Sequence, residues 1–143
     1  MKNYSRFAPV TILTLMKRLE NYTILIVDDD LDILESFDLA MRVEGANTIK
    51  ATDGTAAVIA CQNKAPDAII LDMMLPKRSG FLVMEEIQNL KKPPIVIMVT
   101  ANEGKRHIAY AKSLGVSAYL NKPVSLEKLI DTVSCLLDTK AKQ

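Results

Sequence analysis

From Thr23 onward the chain alternates short apolar runs with longer amphipathic stretches. The apolar runs cover residues 24–27, 48–51, 68–71, 95–99 and 118–120. They are mostly continuous rather than alternating, the pattern expected of parallel strands covered on both faces. Five helices are predicted after them. The first, over 32–44, opens with Asp32-x-x-Glu35, which resembles a capping box, and stops at Gly45. Ile33/Leu34, Phe37 and Ala40/Met41 form its expected inner stripe. Asp30 and Asp53 read as helix-capping residues, and the second helix runs from Asp53 to about Asn63, ahead of Pro66. Ser79 is placed to cap a third helix that ends near Leu90, before Pro93-Pro94. The fourth spans 102–114 and stops at Gly115, and the last spans 125–138.

Five βα units in this length predict an α/β fold with a parallel sheet. The short chain favours a three-layer sandwich, with a five-stranded sheet of flavodoxin-like order 2-1-3-4-5 and five helices. Such sheets bind ligands beyond the carboxyl ends of their strands, at the switch point between strands 1 and 3. That rule directs the search for chemistry.

Composition narrows the classes. A length of 143 residues fits one domain, and 49% hydrophobic with 24% charged residues is an ordinary globular balance. Eighteen basic and 17 acidic side chains leave a formal charge of +1, without the basic excess of a nucleic-acid module. His107 is the only histidine, which excludes a histidine metal cluster and a serine-protease triad. There is no GxxxxGKS/T, GxGxxG or HExxH motif. The apolar runs are too short to span a membrane. Cys61 and Cys135 lie far apart and read as buried small hydrophobes in a reducing compartment.

The first 20 residues hold Lys2, Arg6, Lys17 and Arg18 against Glu20, so the slight positive charge is concentrated there. Residues 7–16 (FAPVTILTLM) are interrupted by Pro9, Thr11 and Thr14, and no small-residue cleavage site follows, which argues against a secretory signal. Two readings stand: a short helix with Ile12, Leu15 or Met16, and Leu19 on one face, or a mature chain that starts at Met16. The predicted organisation is an extension over 1–21, the α/β domain over 22–138 and a tail over 139–143.

The carboxyl ends of the strands carry the chemistry. Strand 1 ends in Asp28-Asp29-Asp30, strand 3 in Asp72 and strand 4 in Thr100, while Lys122-Pro123 follows strand 5. Because strands 1 and 3 are neighbours, Asp28, Asp29 and Asp72 are expected in one pocket. Two carboxylates ~5 Å apart repel by about 3 kcal/mol at an effective dielectric near 20. A cation or a raised pKa must relieve this. Carboxylates, a backbone carbonyl and water suit a hard divalent ion, so Mg²⁺ is the expected cofactor, with Mn²⁺ as a substitute. Three carboxylates, one divalent ion and Lys122 then sum to neutrality. An aspartate beside such an ion, a lysine and a hydroxyl is equipped to receive a phosphoryl group. Taken singly, each residue has a bland role: aspartate at a strand end caps helices, threonine is a common strand residue, and a lone lysine is a solvated charge. It is their shared placement that argues for a site.

With these residues in view, the chain from about Tyr22 to Asp138 resembles a receiver domain of two-component response regulators. The resemblance rests on ILIVDDD at 24–30, IILDMMLPKRSG at 69–80, IVIMVTA at 95–101 and AYLNKP at 118–123. It implies Asp72 as phosphoacceptor, Asp28 and Asp29 as metal-binding acids beside Asp72, and the Met74 carbonyl as a further ligand. It also implies Thr100 as the switch hydroxyl, Lys122 as the phosphoryl-contacting lysine, Tyr119 as the aromatic that turns with the switch, and a cis peptide at Lys122–Pro123. Met74 and Asn102 stand where receivers tune the rate of phosphoryl loss.

Two departures accompany the resemblance. Val124 stands where many receivers carry phenylalanine, and the last helix lacks the arginines of receivers that dimerise through their fourth and fifth helices. The implied function is a cytoplasmic signalling receiver that catalyses only its own phosphorylation and dephosphorylation. Its phosphoryl donor is expected to be a sensor histidine kinase or a histidine phosphotransfer protein. Only five residues follow the predicted last helix, so output is expected through a downstream protein target, with no direct nucleic-acid or membrane partner. The alternative is a haloacid-dehalogenase-like phosphatase with Asp28 as nucleophile, but Leu31-Asp32 lacks the residue types that motif needs. Met73, Met74, Met84 and Met98 read as core or pocket-edge residues, and Lys77-Arg78 and Lys91-Lys92 as solvated loop charges.

Overall fold

The structure, a computed structural model, describes residues 17–101 and 104–142. Strands β1 (Thr23–Val27), β2 (Asn47–Ala51), β3 (Ala68–Leu71), β4 (Ile95–Thr100) and β5 (Ala118–Asn121) alternate with helices α1 (Leu31–Val43), α2 (Gly54–Lys64), α3 (Gly80–Ile87), α4 (Lys105–Ser113) and α5 (Leu126–Ala141). The strands form one parallel sheet in the order β2-β1-β3-β4-β5, the predicted architecture.

Alternation along each strand divides the core in two. Ile24, Ile26, Ala68, Ile70, Ile95, Ile97 and Val99 face α1 and α5, which contribute Leu34, Phe37, Met41, Leu129, Val133 and Leu137. Leu25, Val27, Ile69, Leu71, Val96 and Met98 face the other way, onto α2, α3 and α4. Apart from Thr23 at the start of β1 and Thr100 at the end of β4, the inner strands are therefore apolar, as both faces are covered.

Local chemistry sets the helix starts. Asp30 caps α1 by accepting from the Asp32 and Ile33 N–H groups, and Asp53 caps α2 by accepting from Ala56 N–H. Ser79 and Ser125 do the same for α3 and α5. The expected Asp32–Glu35 capping box does not form. Asp30 already accepts from the first free N–H groups, which leaves the Glu35 carboxylate to pair with Lys50 at 2.8 Å. Three other differences come from packing. Helix α5 continues through Ala141, so the last turn takes in residues expected in the tail. Cys135 is exposed on α5, while Cys61 is buried as expected and its thiol is pushed up to about 11 by burial.

The third difference precedes β1. Leu19 is fully buried in the core between α1 and α5, and its N–H donates to the Glu44 carbonyl at 2.8 Å. Arg18 beside it bridges Glu44 (2.9 Å) and Asp131 (2.6 Å). Packing thus begins ahead of Tyr22. The expected helix or chain start over residues 7–16 lies outside the described residues.

Candidate functional site

Strand register brings the predicted acids together. Val27 pairs with Leu71 across β1 and β3, so Asp28 and Asp72 leave neighbouring strands at the same level. The Asp28 N–H donates to the Ala51 carbonyl and the Asp72 N–H to the Val27 carbonyl, which extends the ladders through both residues. Asp28 and Asp72 are buried, at 2% and 6% exposure, whereas Asp29 is exposed. One oxygen from each of the three carboxylates lies within 4.8 Å of the others.

Lys122 closes the pocket from the far side. Its backbone N–H donates to the Thr100 carbonyl at 2.9 Å, which fixes it just beyond the paired ends of β4 and β5. Its ammonium donates to Asp28 Oδ2 at 2.6 Å and to Asp72 Oδ2 at 2.9 Å. The remaining oxygens are held by backbone: Asp28 Oδ1 accepts from Asp30 N–H, and Asp72 Oδ1 accepts from Met74 N–H. Burial pushes the Asp28 carboxyl above its usual range, against the opposing pull of Lys122. Burial also works against the Lys122 ammonium, but the two carboxylate hydrogen bonds outweigh it and hold its pKa up. Lys122 therefore stays charged at neutral pH.

With all three acids ionised, three carboxylates against one ammonium leave an excess of two negative charges. A pair at 4.8 Å repels by roughly 3.5 kcal/mol at an effective dielectric near 20. An all-oxygen donor set with that excess fits a hard divalent cation.

The predicted switch residues share this end of the sheet. Thr100 is buried at the tip of β4. It falls on the same sheet face as Met98, whose partner across β4 and β5 is Tyr119. Burial and the nearby Asp72 charge both push the Tyr119 hydroxyl up. Lys122–Pro123 is cis. Val124 forms one wall of a groove of about 410 Å³ beside Lys122, with Ile33, Phe37, Ala101 and Pro123. Met74 is 62% exposed, and Asn102 lies outside the described residues.

Two supporting glycines were not singled out from the sequence. A Cβ on Gly80 would lie 2.6 Å from the Asp72 carbonyl oxygen and 2.7 Å from Met73 Cα. The loop after Asp72 folds directly onto the start of α3, where Gly80 N–H donates to the Met73 carbonyl. A Cβ on Gly54 would collide with the Arg78 carbonyl oxygen. The available signal was a glycine just after each capping residue, at Asp53-Gly54 and Ser79-Gly80. Lys77 and Arg78 form surface ion pairs with Asp53 and Glu86, worth little each.

A profile described as the response regulator receiver domain matches residues 24–134, a span that includes every acid of the pocket and Lys122. The chain belongs to the response regulator receiver domain family. This receiver is 32% identical over 115 residues to a protein named "Probable transcriptional regulatory protein TcrX" from Mycobacterium tuberculosis, covering 80% of this chain and 49% of that protein. It is 31% identical over 114 residues to the response regulator MprA of a Mycobacterium sp., covering 80% and 50%. The receiver thus spans about half the length of these curated relatives. Among solved structures it is similar to a CheY-like receiver domain from Methanospirillum hungatei, with a TM-score of 0.81, 28% identity, and 87% and 98% of the two chains covered. These relatives give no support to the haloacid-dehalogenase-like alternative. No described helix of the receiver is long and apolar enough to cross a membrane.

Proposed function

We propose that Asp72 is the residue through which this receiver takes a phosphoryl group from a phosphohistidine. An Asp72 carboxylate oxygen attacks phosphorus, a P–O bond forms, the P–N bond breaks, and the imidazole leaves with the electron pair. The observation that carries this reading is the Lys122 ammonium, hydrogen-bonded to both Asp28 and Asp72 at the bottom of a pocket with excess negative charge. Lys122 is placed to follow the charge from the carboxylate to the phosphoryl oxygens. Thr100 supplies a hydroxyl for the same oxygens, and Tyr119 is the side chain that follows Thr100 inward.

Asp28, Asp29 and Asp72, with the Met74 carbonyl, are the residues that would hold Mg²⁺ or Mn²⁺. When bound, such an ion supplies charge neutralisation at the phosphoryl oxygens. The chemistry is directed at the domain's own aspartate rather than at a small-molecule substrate. Donors are read as a sensor histidine kinase or a histidine phosphotransfer protein, the output as a downstream protein, and the compartment as the cytoplasm. The near-zero charge of the chain favours protein partners over nucleic acid for these 143 residues.

The test is labelling with acetyl phosphate and Mg²⁺, followed by intact mass. Wild type should gain one phosphate, and neither Asp72→Asn protein nor wild type with chelator should gain any. Equal labelling of Asp72→Asn would overturn the assignment.

A further inference from the structure

Five methionines fall among the described residues, and four are sealed in the core: Met41, Met84 and Met98 at 0% exposure and Met73 at 3%. Met74 differs, at 62% exposure. Its place is also distinctive. It lies two residues after Asp72, and its own N–H donates to Asp72 Oδ1 at 3.0 Å. The backbone is thus fixed against the reactive carboxylate while the residue itself stands open to solvent. Of the two cysteines, Cys61 is buried with its thiol pushed up to about 11, so little of it is thiolate, and Cys135 is exposed on α5.

We propose that Met74 is an oxidation site through which a peroxide shortens the phosphorylated lifetime of this receiver. The inference rests on Asp72 being the phosphoacceptor. A sulfur lone pair of Met74 attacks one peroxide oxygen, the S–O bond forms as the O–O bond breaks, and the displaced oxygen leaves as water. Sulfide is oxidised to sulfoxide and peroxide is reduced. Exposure makes the step selective over Met41, Met73, Met84 and Met98, because the same oxidant must open the core to reach them. Thiol-dependent sulfoxide reductases reverse this chemistry, so the change is a switch rather than a lesion.

The effect follows from the change in the side chain. A thioether is apolar and flexible, covers nearby surface and holds water poorly. A sulfoxide carries a polar oxygen that accepts strong hydrogen bonds. Beside a phosphorylated Asp72 it would hold a water where the thioether excluded one. One net hydrogen bond in the transition state corresponds to about two- to tenfold in rate.

The experiment uses the full chain in a Cys135→Ser background, so that thiol oxidation does not contribute. Wild type and Met74→Leu at this position are treated with hydrogen peroxide or left untreated, and peptide mass locates the added oxygen. Both are then phosphorylated with acetyl phosphate and Mg²⁺, the donor is removed, and loss of phosphate is timed. The expected result is oxygen on Met74 ahead of Met41, Met73, Met84 and Met98. Decay should be two- to tenfold faster in the oxidised protein and insensitive to peroxide in Met74→Leu. An unchanged or slower decay with Met74 fully oxidised overturns the proposal, as does oxidation of buried methionines before Met74. Failure of untreated protein to accept phosphate is a separate outcome, which overturns the Asp72 reading and this inference together.

Discussion

Replacing Lys122 with methionine keeps much of the side chain's length and removes its charge. In the wild type the ammonium lies 2.6 Å from Asp28 and 2.9 Å from Asp72, and both acids are buried. Breaking such a pair leaves an uncompensated buried charge and costs about 3–5 kcal/mol. The cost should depend on pH, and the sign follows from the proton count. Burial already raises the Asp28 carboxyl above its unfolded value of 3.8, and Lys122 is the main group pulling it back. In Lys122→Met that restraint is gone and the folded pKa rises further. A carboxyl raised in the folded state binds more protons folded than unfolded, so stability falls as pH rises between the two values and returns on acidification. The deficit of the variant should therefore be largest near about pH 8 and shrink toward about pH 5. Urea unfolding of both proteins across this range, in chelator, measures it. Added Mg²⁺ should restore part of the loss, because an ion that binds only the folded pocket stabilises it by mass action. A neutral-pH cost below about 1 kcal/mol, or a deficit that grows on acidification, would refute the charge coupling drawn here.

The other predictions concern the supports of the pocket. Gly80→Ala places a Cβ against the backbone of Asp72 and Met73, neither of which is a flexible side-chain end, so it should cost about 2 kcal/mol or more and slow acetyl phosphate labelling. Unchanged stability together with unchanged labelling would show that the Asp72 loop moves aside freely. Leu19→Ala removes a fully buried side chain between α1 and α5 and should cost about 2–5 kcal/mol in urea unfolding. A loss under about 1 kcal/mol would show that the segment ahead of β1 contributes little to the core.

Much of this molecule was legible along the chain because the relevant physics is local. Five apolar runs, the glycine stops at Gly45 and Gly115, and the capping side chains of Asp30, Asp53, Ser79 and Ser125 act on their near neighbours in sequence. They placed every strand and helix to within a few residues. The acids and Lys122 were legible too, since a parallel sheet sends every strand's carboxyl end to one edge. Tertiary structure decided what depends on distance between segments remote in sequence. Lys122 is 94 residues from Asp28 and 50 from Asp72, and only the register of β1, β3, β4 and β5 brings its ammonium to bridge both. Asp38 is buried on α1, held by Arg42, though its residue type marks it for solvent. Leu19 packs into the core with α1 and α5, and its place in the apolar pattern ahead of β1 does not say which elements it meets. Met74 and Met73 are the same residue side by side, yet one is exposed and the other sealed, because the turn after Asp72 points them apart. Residue type and spacing state which groups are available, and packing alone decides which of them meet water and which meet one another.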